Sequence, residues 1–191
     1  MNASNPVAME RAGRDAHPFY TIGHSTRTLE EFVGLLRQAS VTLVADVRTI
    51  PRSRTNPQYN RDTLPQSLAS YDINYEHLPE LGGRRGRQRD VEGSLNGYWR
   101  EASFHNYADY ALSDAFKAGL RRLRALGHEQ RTAIMCSEAV WWRCHRRIVA
   151  DHLLAAGETV LHILGLRHID PATMTPAAQV GGDALIYPGL I

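Results

Sequence analysis

The densest group of reactive side chains in this sequence lies between residues 136 and 146, which read CSEAVWWRCHR. Thiols attack electrophiles or bind metals, carboxylates and imidazoles transfer protons, and guanidinium groups bind phosphate or carboxylate. The segment brings all of these groups together. It therefore predicts a reactive or ligand-binding site with these candidate residues: Cys136, Glu138, Arg143, Cys144, His145 and Arg146.

The first chemistry that this segment supports is catalysis by a thiol. Cys136 follows an apolar run and precedes a predicted helix, whose free backbone amides favour a thiolate, so we expect its pKa to be lowered. Glu138 or His145 would move protons, as a general acid or base. Arg143 and Arg146 would hold an anionic substrate.

Two other chemistries remain open for the same residues. Cys136, Cys144 and His145, with His24 as a further candidate ligand, could bind a metal ion, and zinc or iron suits such a set of nitrogen and sulfur ligands. The spacing of the two cysteines, however, matches no common structural zinc pattern. Alternatively, Glu138 and Asp46 could work as paired carboxylates, as glycosidic-bond hydrolysis requires, while both cysteines only pack. No other cofactor is predicted.

Polar residues also follow the other predicted strands. His24 comes directly after a short β-rich run, and Asp46 and Arg48 follow an uninterrupted apolar run. Ligands in open parallel sheets bind beyond the carboxyl ends of the strands, so we expect these residues to meet Cys136 at one rim. His24 and Asp46 would assist catalysis there, and Arg48 would bind the ligand. The loop that follows adds groups suited to phosphate, namely Arg52, Ser53 and Asn56.

Aromatic side chains are interleaved with the basic residues. Rings that stack on bases, beside guanidinium groups that bind phosphates, suit a nucleotide or a single strand of nucleic acid. Tyr59 and Trp142 are the aromatic residues that we expect to contact the ligand, and a basic stretch from Arg84 to Arg89 lies in a long loop. A nucleic-acid-binding module without catalysis is therefore the alternative to an enzyme.

Strands and helices alternate along the chain and must position these residues. Apolar runs predict strands at 19–22, 41–45, 73–78, 131–135 and 159–163. Helical periodicity predicts helices at 29–39, 63–70, 98–126 in two pieces closed by Gly127, and 144–156. Thr28 and Glu31 form a capping box before the first helix. The pattern predicts an α/β fold, a three-layer sandwich with a mostly parallel sheet of about five strands and helices on both faces, with the tail after residue 166 packed across an edge.

The composition is that of an ordinary globular protein. The 191 residues are 43% hydrophobic and 22% charged, with a net charge of +2, which excludes a disordered or fibrous chain. Two cysteines are too few for a disulfide framework, and no apolar run is long enough to span a membrane. We therefore expect a cytoplasmic protein with no membrane partner, consisting of a loose leader over residues 1–18 and a single domain over 19–191.

Five motifs in order make the sequence resemble a known family. They are TIGHS at 21–25, DVR with PRS and NP within 46–57, LGG at 81–83, MCSE at 135–138 and CHR at 144–146. This pattern resembles the DUF488 family, a domain of unknown function. One departure is the stretch AVWWR at 139–143, where family members often carry acidic residues and proline. The resemblance implies an α/β, intracellular, largely prokaryotic protein with these characteristic site residues: His24, Asp46, Arg48, Cys136, Glu138, Cys144, His145 and Arg146.

The convergence of these groups favours an enzyme with a Cys/Glu/His/Arg site at the carboxyl ends of the strands. The expected chemistry is that of a hydrolase or transferase that depends on cysteine or carboxylate groups. Its expected ligand carries phosphate and is a small molecule such as a nucleotide, or a nucleic acid.

Overall fold

The computed structural model of the protein describes residues 17–182 and 184–189, so residues 1–16 of the expected leader lie outside the described part. The strands are β1 (Phe19–Gly23), β2 (Leu43–Asp46), β3 (Asn74–His77), β4 (Thr132–Cys136), β5 (Val160–Gly165), β6 (His168–Pro171), β7 (Gln179–Gly181) and β8 (Ala184–Ile186). The helices of four residues or more are α1 (Leu29–Gln38), α2 (Leu64–Ala69), α3 (Ala102–Tyr110), α4 (Asp114–Glu129) and α5 (Arg146–Ala155).

The main sheet has six strands in the order β3-β2-β4-β1-β5-β6. The first five run parallel, which confirms the predicted α/β class with a mostly parallel sheet. The tail adds β6, which pairs antiparallel with β5 at the edge, and a separate pair formed by β7 and β8. Periodicity did not predict these strands because each is at most four residues long. Within the described residues, no helix is both long and apolar enough to cross a bilayer.

Helices cover both faces of the sheet, as predicted. On one face, α1 and α2 pack against alternate strand residues such as Ile22 and Met135. On the other face, α4 and α5 pack against the intervening residues, among them Ile134 and Cys136. The β1 and β4 strands are neighbours, yet the next helices, α1 and α5, lie on opposite faces. The chain therefore diverges beyond these two strand ends, and such a divergence opens a crevice in a parallel sheet.

The helix boundaries follow local chemistry with one correction. The capping box is confirmed, because the Glu31 amide donates to Thr28 Oγ1 at 3.2 Å and the Thr28 amide donates to Glu31 Oε2 at 2.8 Å. The prediction that Gly127 closes the second helical piece is wrong, since α4 continues to Glu129. Gly127 is needed for packing: a Cβ there would lie 3.0 Å from Cδ1 of Phe19 and would overlap the rest of that ring.

A partly buried histidine on α5 makes the fold sensitive to acid. His152 packs against the ring of Phe116, with 4.7 Å between ring centroids, and its Nε2 has no hydrogen-bond partner among the described residues. Desolvation lowers its pKa from 6.5 to about 4. The unfolded chain therefore binds more protons than the folded protein between these two pH values, and the protein loses stability as the pH falls through this window.

Replacing His152 with leucine is expected to remove this share of the acid sensitivity. Between pH 6.5 and pH 4, the unfolding free energy of the variant should fall by less than that of the unchanged protein, because the variant has no buried imidazole at this position that must stay neutral. The difference between the two losses should be on the order of 1–3 kcal/mol. Urea unfolding at several pH values measures the effect. The exposed His168→Gln is the matched control, and an acid response of His152→Leu equal to that of the control would contradict the prediction.

Candidate functional site

A cleft of about 560 Å³ lies beyond the carboxyl ends of β1, β2 and β4. Four chain segments contribute its walls: the turn after β1, the loop after β2, the residues around Gly83, and the segment that joins β4 to α5. The start of α3 adds Ser103 and Phe104, which sequence reasoning missed because no motif marks them. The structure brings ten of the predicted residues to this cleft: His24, Arg48, Arg52, Ser53, Asn56, Cys136, Glu138, Arg143, Cys144 and His145.

Four predicted residues do not line the cleft: Asp46, Tyr59, Trp142 and Arg146. Asp46, Tyr59 and Arg146 are buried behind its walls, and Trp142 lies on the outer surface with 47% of its area exposed. None of these four residues would contact a ligand in the cleft. This corrects the expectation that Tyr59, Trp142 and Arg146 contact the ligand directly. Their contacts instead support the residues that do line the cleft.

Asp46 is fully buried and is occupied by internal partners. Its carboxylate accepts hydrogen bonds from Arg48 Nε at 2.9 Å and Nη2 at 2.6 Å, and from the Tyr75 hydroxyl at 2.7 Å. Asp46 pairs with Met135 across the sheet, so its side chain lies on the α1 and α2 face, whereas Cys136 lies on the other face. Asp46 thus lies behind the cleft wall with its carboxylate occupied, whereas Glu138 lines the cleft, so the two do not share the cleft as the paired carboxylates that we considered from the sequence.

The Asp46 carboxylate positions Arg48 at the cleft wall. Desolvation alone would lower the pKa of the Arg48 guanidinium, but the hydrogen bond and charge of Asp46 outweigh it, so the pKa is raised. Arg48 also donates to the Tyr59 carbonyl at 2.7 Å. Its Nη1 lies 3.3 Å from Nε2 of His24. The Asp46 carboxylate, the Tyr59 carbonyl and the His24 ring thus hold a permanently charged guanidinium in one orientation.

His24 is held as a neutral imidazole. Its Nδ1 donates to the Ser25 carbonyl at 2.8 Å, because a carbonyl only accepts, and its Nε2 accepts from Arg48. Burial, followed by smaller contributions that include repulsion from Arg48, lowers its pKa to about 4. The ring stacks on Tyr59 with 4.1 Å between centroids. Because both nitrogens are engaged, the geometry favours an orienting role for His24 over proton transfer.

The two thiols and one imidazole form a compact cluster at the floor of the cleft. Nδ1 of His145 lies 3.6 Å from Sγ of Cys144 and 4.0 Å from Sγ of Cys136, and the three atoms lie within 4.8 Å of one another. Both cysteines are buried and free. We refer to these three residues as the thiol cluster.

The acidity of the two thiols is opposite to the sequence-based expectation. The hydrogen bond with Cys144 and burial raise the pKa of Cys136 to about 12. Burial alone would raise the pKa of Cys144, but the hydrogen bond from Cys136 and the nearby Arg146 guanidinium lower it to about 6. Cys144 is therefore the more acidic thiol of the pair, and the expected lowering of the Cys136 pKa is contradicted, because Cys144 and burial raise it.

Arg146 explains why Cys144 is the more acidic thiol. The residue is buried, and its Nε donates to Sγ of Cys144 at 3.2 Å while its Nη2 donates to the carbonyl of Glu138. The guanidinium thus stabilises an internal thiolate and holds the loop after β4. These bonds replace the substrate contact that the sequence predicted for Arg146.

His145 directs an unprotonated nitrogen toward the sulfur atoms. Its Nε2 lies 3.0 Å from the carbonyl oxygen of Val47, which can only accept a hydrogen bond, so Nε2 carries the proton. In the neutral ring, the lone pair of Nδ1 then faces the sulfur atoms of Cys136 and Cys144. The ring is fixed from its sides by Tyr107, at 5.0 Å between centroids, and by the backbone of Gly83.

Glycines in two of the motifs allow the backbone to approach the site. A Cβ on Gly23 would lie 2.7 Å from the carbonyl carbon of Glu138 and 2.9 Å from Cα of Ala139. A Cβ on Gly83 would lie 2.6 Å from Cγ of His145 and would overlap Nδ1. The sequence analysis assigned no packing role to these two glycines. Their positions in motifs that also contain or adjoin predicted site residues were the signal that could have indicated one.

The rim of the cleft carries unpaired positive charge. Arg52, Arg84 and Arg143 are exposed and line the cleft, and their side chains have no ion pair or hydrogen bond within the described part of the chain. Glu138 is the acidic residue among those that line the cleft. Because Arg48 adds a further guanidinium, the cleft carries an excess of positive charge that suits an anion.

The unusual stretch between Glu138 and Cys144 folds as a turn that presents Arg143. Residues Trp141–Arg143 form a short 3-10 turn, and Trp141 stacks on His162 of β5 with 4.3 Å between centroids. Trp142 is exposed and does not line the cleft. The two tryptophans thus anchor and cover the outer side of this segment, while Arg143 reaches the cleft.

These features define an α/β protein with a parallel sheet whose carboxyl edge carries a thiol cluster in a basic cleft. Residues 28–153 match the DUF488 family, described as a domain of unknown function, which is more than half of the chain. The chain therefore belongs to the DUF488 family, and the resemblance carried by the motifs is confirmed. Neither a curated protein nor a solved structure matches the chain significantly.

Proposed function

We propose that the protein is an enzyme, a hydrolase or transferase, whose substrate carries a phosphate group and binds in the basic cleft. The observation that carries the proposal is the arrangement of three unpaired guanidinium groups around a buried thiol cluster. Structural arginines pair with carboxylates, whereas unpaired arginines that converge on a cavity suit phosphate or carboxylate oxygens.

The groups within the cleft divide into binding and reactive sets. Arg52, Arg84 and Arg143 surround the entrance and would bind the phosphate oxygens, with Arg48 held deeper by Asp46. The reactive set consists of the buried thiol cluster and the carboxylate of Glu138, an exposed residue that lines the same cleft and is a candidate proton carrier. A phosphate held at the rim would place the remainder of the substrate against the floor of the cleft.

An enzyme is better supported than a nucleic-acid-binding module. The module requires exposed rings beside the basic groups on which bases can stack, but Tyr59, Trp99 and Tyr107 are buried. Trp142 is exposed but does not line the basic cleft. In the basic loop, Arg85 lies 3.8 Å above the ring of Tyr110 and donates to three backbone carbonyls, so it is occupied by the fold. The concave cleft and its floor of reactive groups suit a small ligand instead.

Replacing Arg143 with glutamine is expected to weaken phosphate binding by about tenfold or more. A hydrogen bond from a charged donor to phosphate contributes about 1.5–3 kcal/mol, and glutamine removes the charge while keeping a polar side chain. Calorimetric titration of the folded protein with adenosine monophosphate, and separately with inorganic phosphate, measures the change. Arg121→Gln is the matched control, because Arg121 is equally exposed on α4 and does not line the cleft.

Two results would overturn this proposal. One is the absence of saturable binding of either probe at low ionic strength. The other is an equal effect of Arg143→Gln and Arg121→Gln, which would reduce the interaction to general charge attraction. Salt-sensitive binding of a single-stranded oligonucleotide that Cys136→Ser leaves unchanged would instead support the binding module.

A further inference from the structure

We propose that Cys136, Cys144 and His145 bind a zinc ion at the floor of the cleft, with a fourth coordination position open toward the ligand. The inference deepens the proposed function at the same site, and rests on it only for the identity of the ligand that reaches the fourth position.

The distances within the thiol cluster approach those of a tetrahedral zinc site. With Zn–S bonds of about 2.3 Å and a Zn–N bond of about 2.0–2.1 Å, tetrahedral angles require about 3.6 Å between sulfur and nitrogen and about 3.8 Å between the sulfurs. Nδ1 of His145 lies 3.6 Å from the Cys144 sulfur and 4.0 Å from the Cys136 sulfur, and all three atoms lie within 4.8 Å. The two sulfur-to-nitrogen distances are therefore within a few tenths of an ångström of the tetrahedral value.

The imidazole is already oriented as a metal ligand. Histidine ligands almost always donate their second nitrogen to a carboxylate or a backbone carbonyl, which fixes both the tautomer and the ring. Nε2 of His145 donates to the Val47 carbonyl at 3.0 Å, so Nδ1 offers its lone pair to the space between the sulfurs. The packing of Tyr107 and Gly83 against the ring restrains it in this orientation.

Arg146 supplies outer-shell support for a sulfur ligand. Its Nε donates to Sγ of Cys144 at 3.2 Å, and its Nη2 donates to the backbone carbonyl of Glu138. Such bonds to a coordinating sulfur hold it in place and moderate its charge. Two thiolates and a neutral imidazole balance the charge of a divalent zinc ion, and the buried guanidinium of Arg146 then leaves one net positive charge beside the site.

The number of ligands distinguishes the kind of zinc site. Structural sites use four protein ligands, whereas catalytic sites use three and leave one position for water or substrate. Among the described residues, the group of possible ligands has three members, and all three line the cleft. Zinc at this position would lower the pKa of a bound water to about 7, and Glu138 lines the same cleft and can accept a proton.

Sequence spacing obscures this site because its ligands come from two elements. Cys136 ends a buried strand, and Cys144 and His145 directly precede α5, after seven intervening residues that include the 3-10 turn. Zinc ribbons and fingers place paired cysteines two to four residues apart in one turn. In those folds a short turn brings the ligand atoms together. Here they come together at the crevice beyond the ends of β1 and β4.

The test is metal binding by the full-length protein. Protein purified without chelators should contain stoichiometric zinc by elemental analysis. After removal of the metal, titration with cobalt(II) should produce the charge-transfer band of thiolate bound to cobalt and the visible bands of tetrahedral coordination. Zinc should then displace the cobalt and abolish both spectra, since zinc binds this ligand set more tightly.

Variants separate a specific site from loose binding. His145→Gln and Cys144→Ser should each weaken zinc binding by more than about 100-fold, because each removes a direct ligand, and outer-shell changes alone cost 10–100-fold. Gly83→Ala keeps all three ligands but displaces the ring of His145, and should weaken binding by about 10-fold or more. His168→Gln, on the exposed β6, should bind zinc as the unchanged protein does.

The proposal would be overturned by a cobalt titration without a thiolate band. It would also be overturned by zinc binding that both His145→Gln and Cys144→Ser leave unchanged in folded protein, as judged by circular dichroism, or by stoichiometric iron with only weak zinc affinity. These outcomes are independent of the proposed function, which stands or fails on whether Arg143→Gln weakens phosphate binding. If phosphate binding depends on Arg143 while cobalt shows no specific site, the zinc assignment alone is wrong.

Discussion

Replacing Asp46 with asparagine is expected to destabilise the protein by about 3–5 kcal/mol, the usual cost of leaving one partner of a buried ion pair uncompensated. Asp46 is fully buried, and its carboxylate is the counter-charge of Arg48. The amide of asparagine would remove this charge and would place an N–H donor where Oδ2 now accepts from Arg48 and Tyr75. Urea unfolding followed by tryptophan fluorescence measures the loss.

A double-mutant cycle tests whether the loss comes from the pair. Arg48→Met in the Asp46→Asn background removes the remaining buried charge, so the double variant should be more stable than the sum of the single losses predicts, by about 1–3 kcal/mol. The matched control is Glu76→Gln, which breaks a surface pair with Arg122 and should have a far smaller effect. Additive losses in the cycle would contradict the role assigned to Asp46.

Replacing Gly23 with alanine is expected to cost about 3 kcal/mol of stability and to weaken the binding of any ligand in the cleft. The added Cβ would meet backbone atoms of Glu138 and Ala139, which cannot move aside as a flexible side chain can. The loop after β4 would have to move away from β1, and this movement would displace Glu138 and the part of the loop that leads to Cys144. Thermal or urea unfolding gives the first effect, and titration with phosphate gives the second.

Gly34→Ala is the matched control for this substitution. Gly34 lies within α1, and a Cβ there would meet nothing within 4 Å. Alanine should therefore stabilise the protein by about 0.5–1 kcal/mol through its higher helix propensity. If both alanine variants changed stability by similar amounts, the tight approach at Gly23 would have no energetic significance.

Much of the fold could be predicted because single strands and helices have local signatures. The apolar runs that became β1, β2 and β4 are buried on both faces of the sheet, which is why they lack alternation. The capping box of Thr28 and Glu31 correctly marked the start of α1. The meeting of several strand ends at one cleft followed from the general behaviour of parallel sheets.

The orientation of individual side chains could not be predicted in the same way. Asp46 and Cys136 both end strands, but the register of β2 with β4 places them on opposite faces. Arg146 looked like an anion ligand, whereas the first turn of α5 buries it against a sulfur atom. Such outcomes depend on the tertiary partners of each residue, which neither composition nor spacing contains.

The central place of β1 in the sheet has a consequence for the synthesis of the chain. This apolar strand leaves the ribosome well before its two neighbours, β4 and β5, which are encoded more than one hundred codons later. Until they emerge, its backbone amides and carbonyls have no strand to pair with, and its buried side chains face water. We therefore expect the nascent polypeptide to depend on chaperones until β4 and β5 have emerged, and to fold slowly because the contacts that complete the sheet are so distant in the chain.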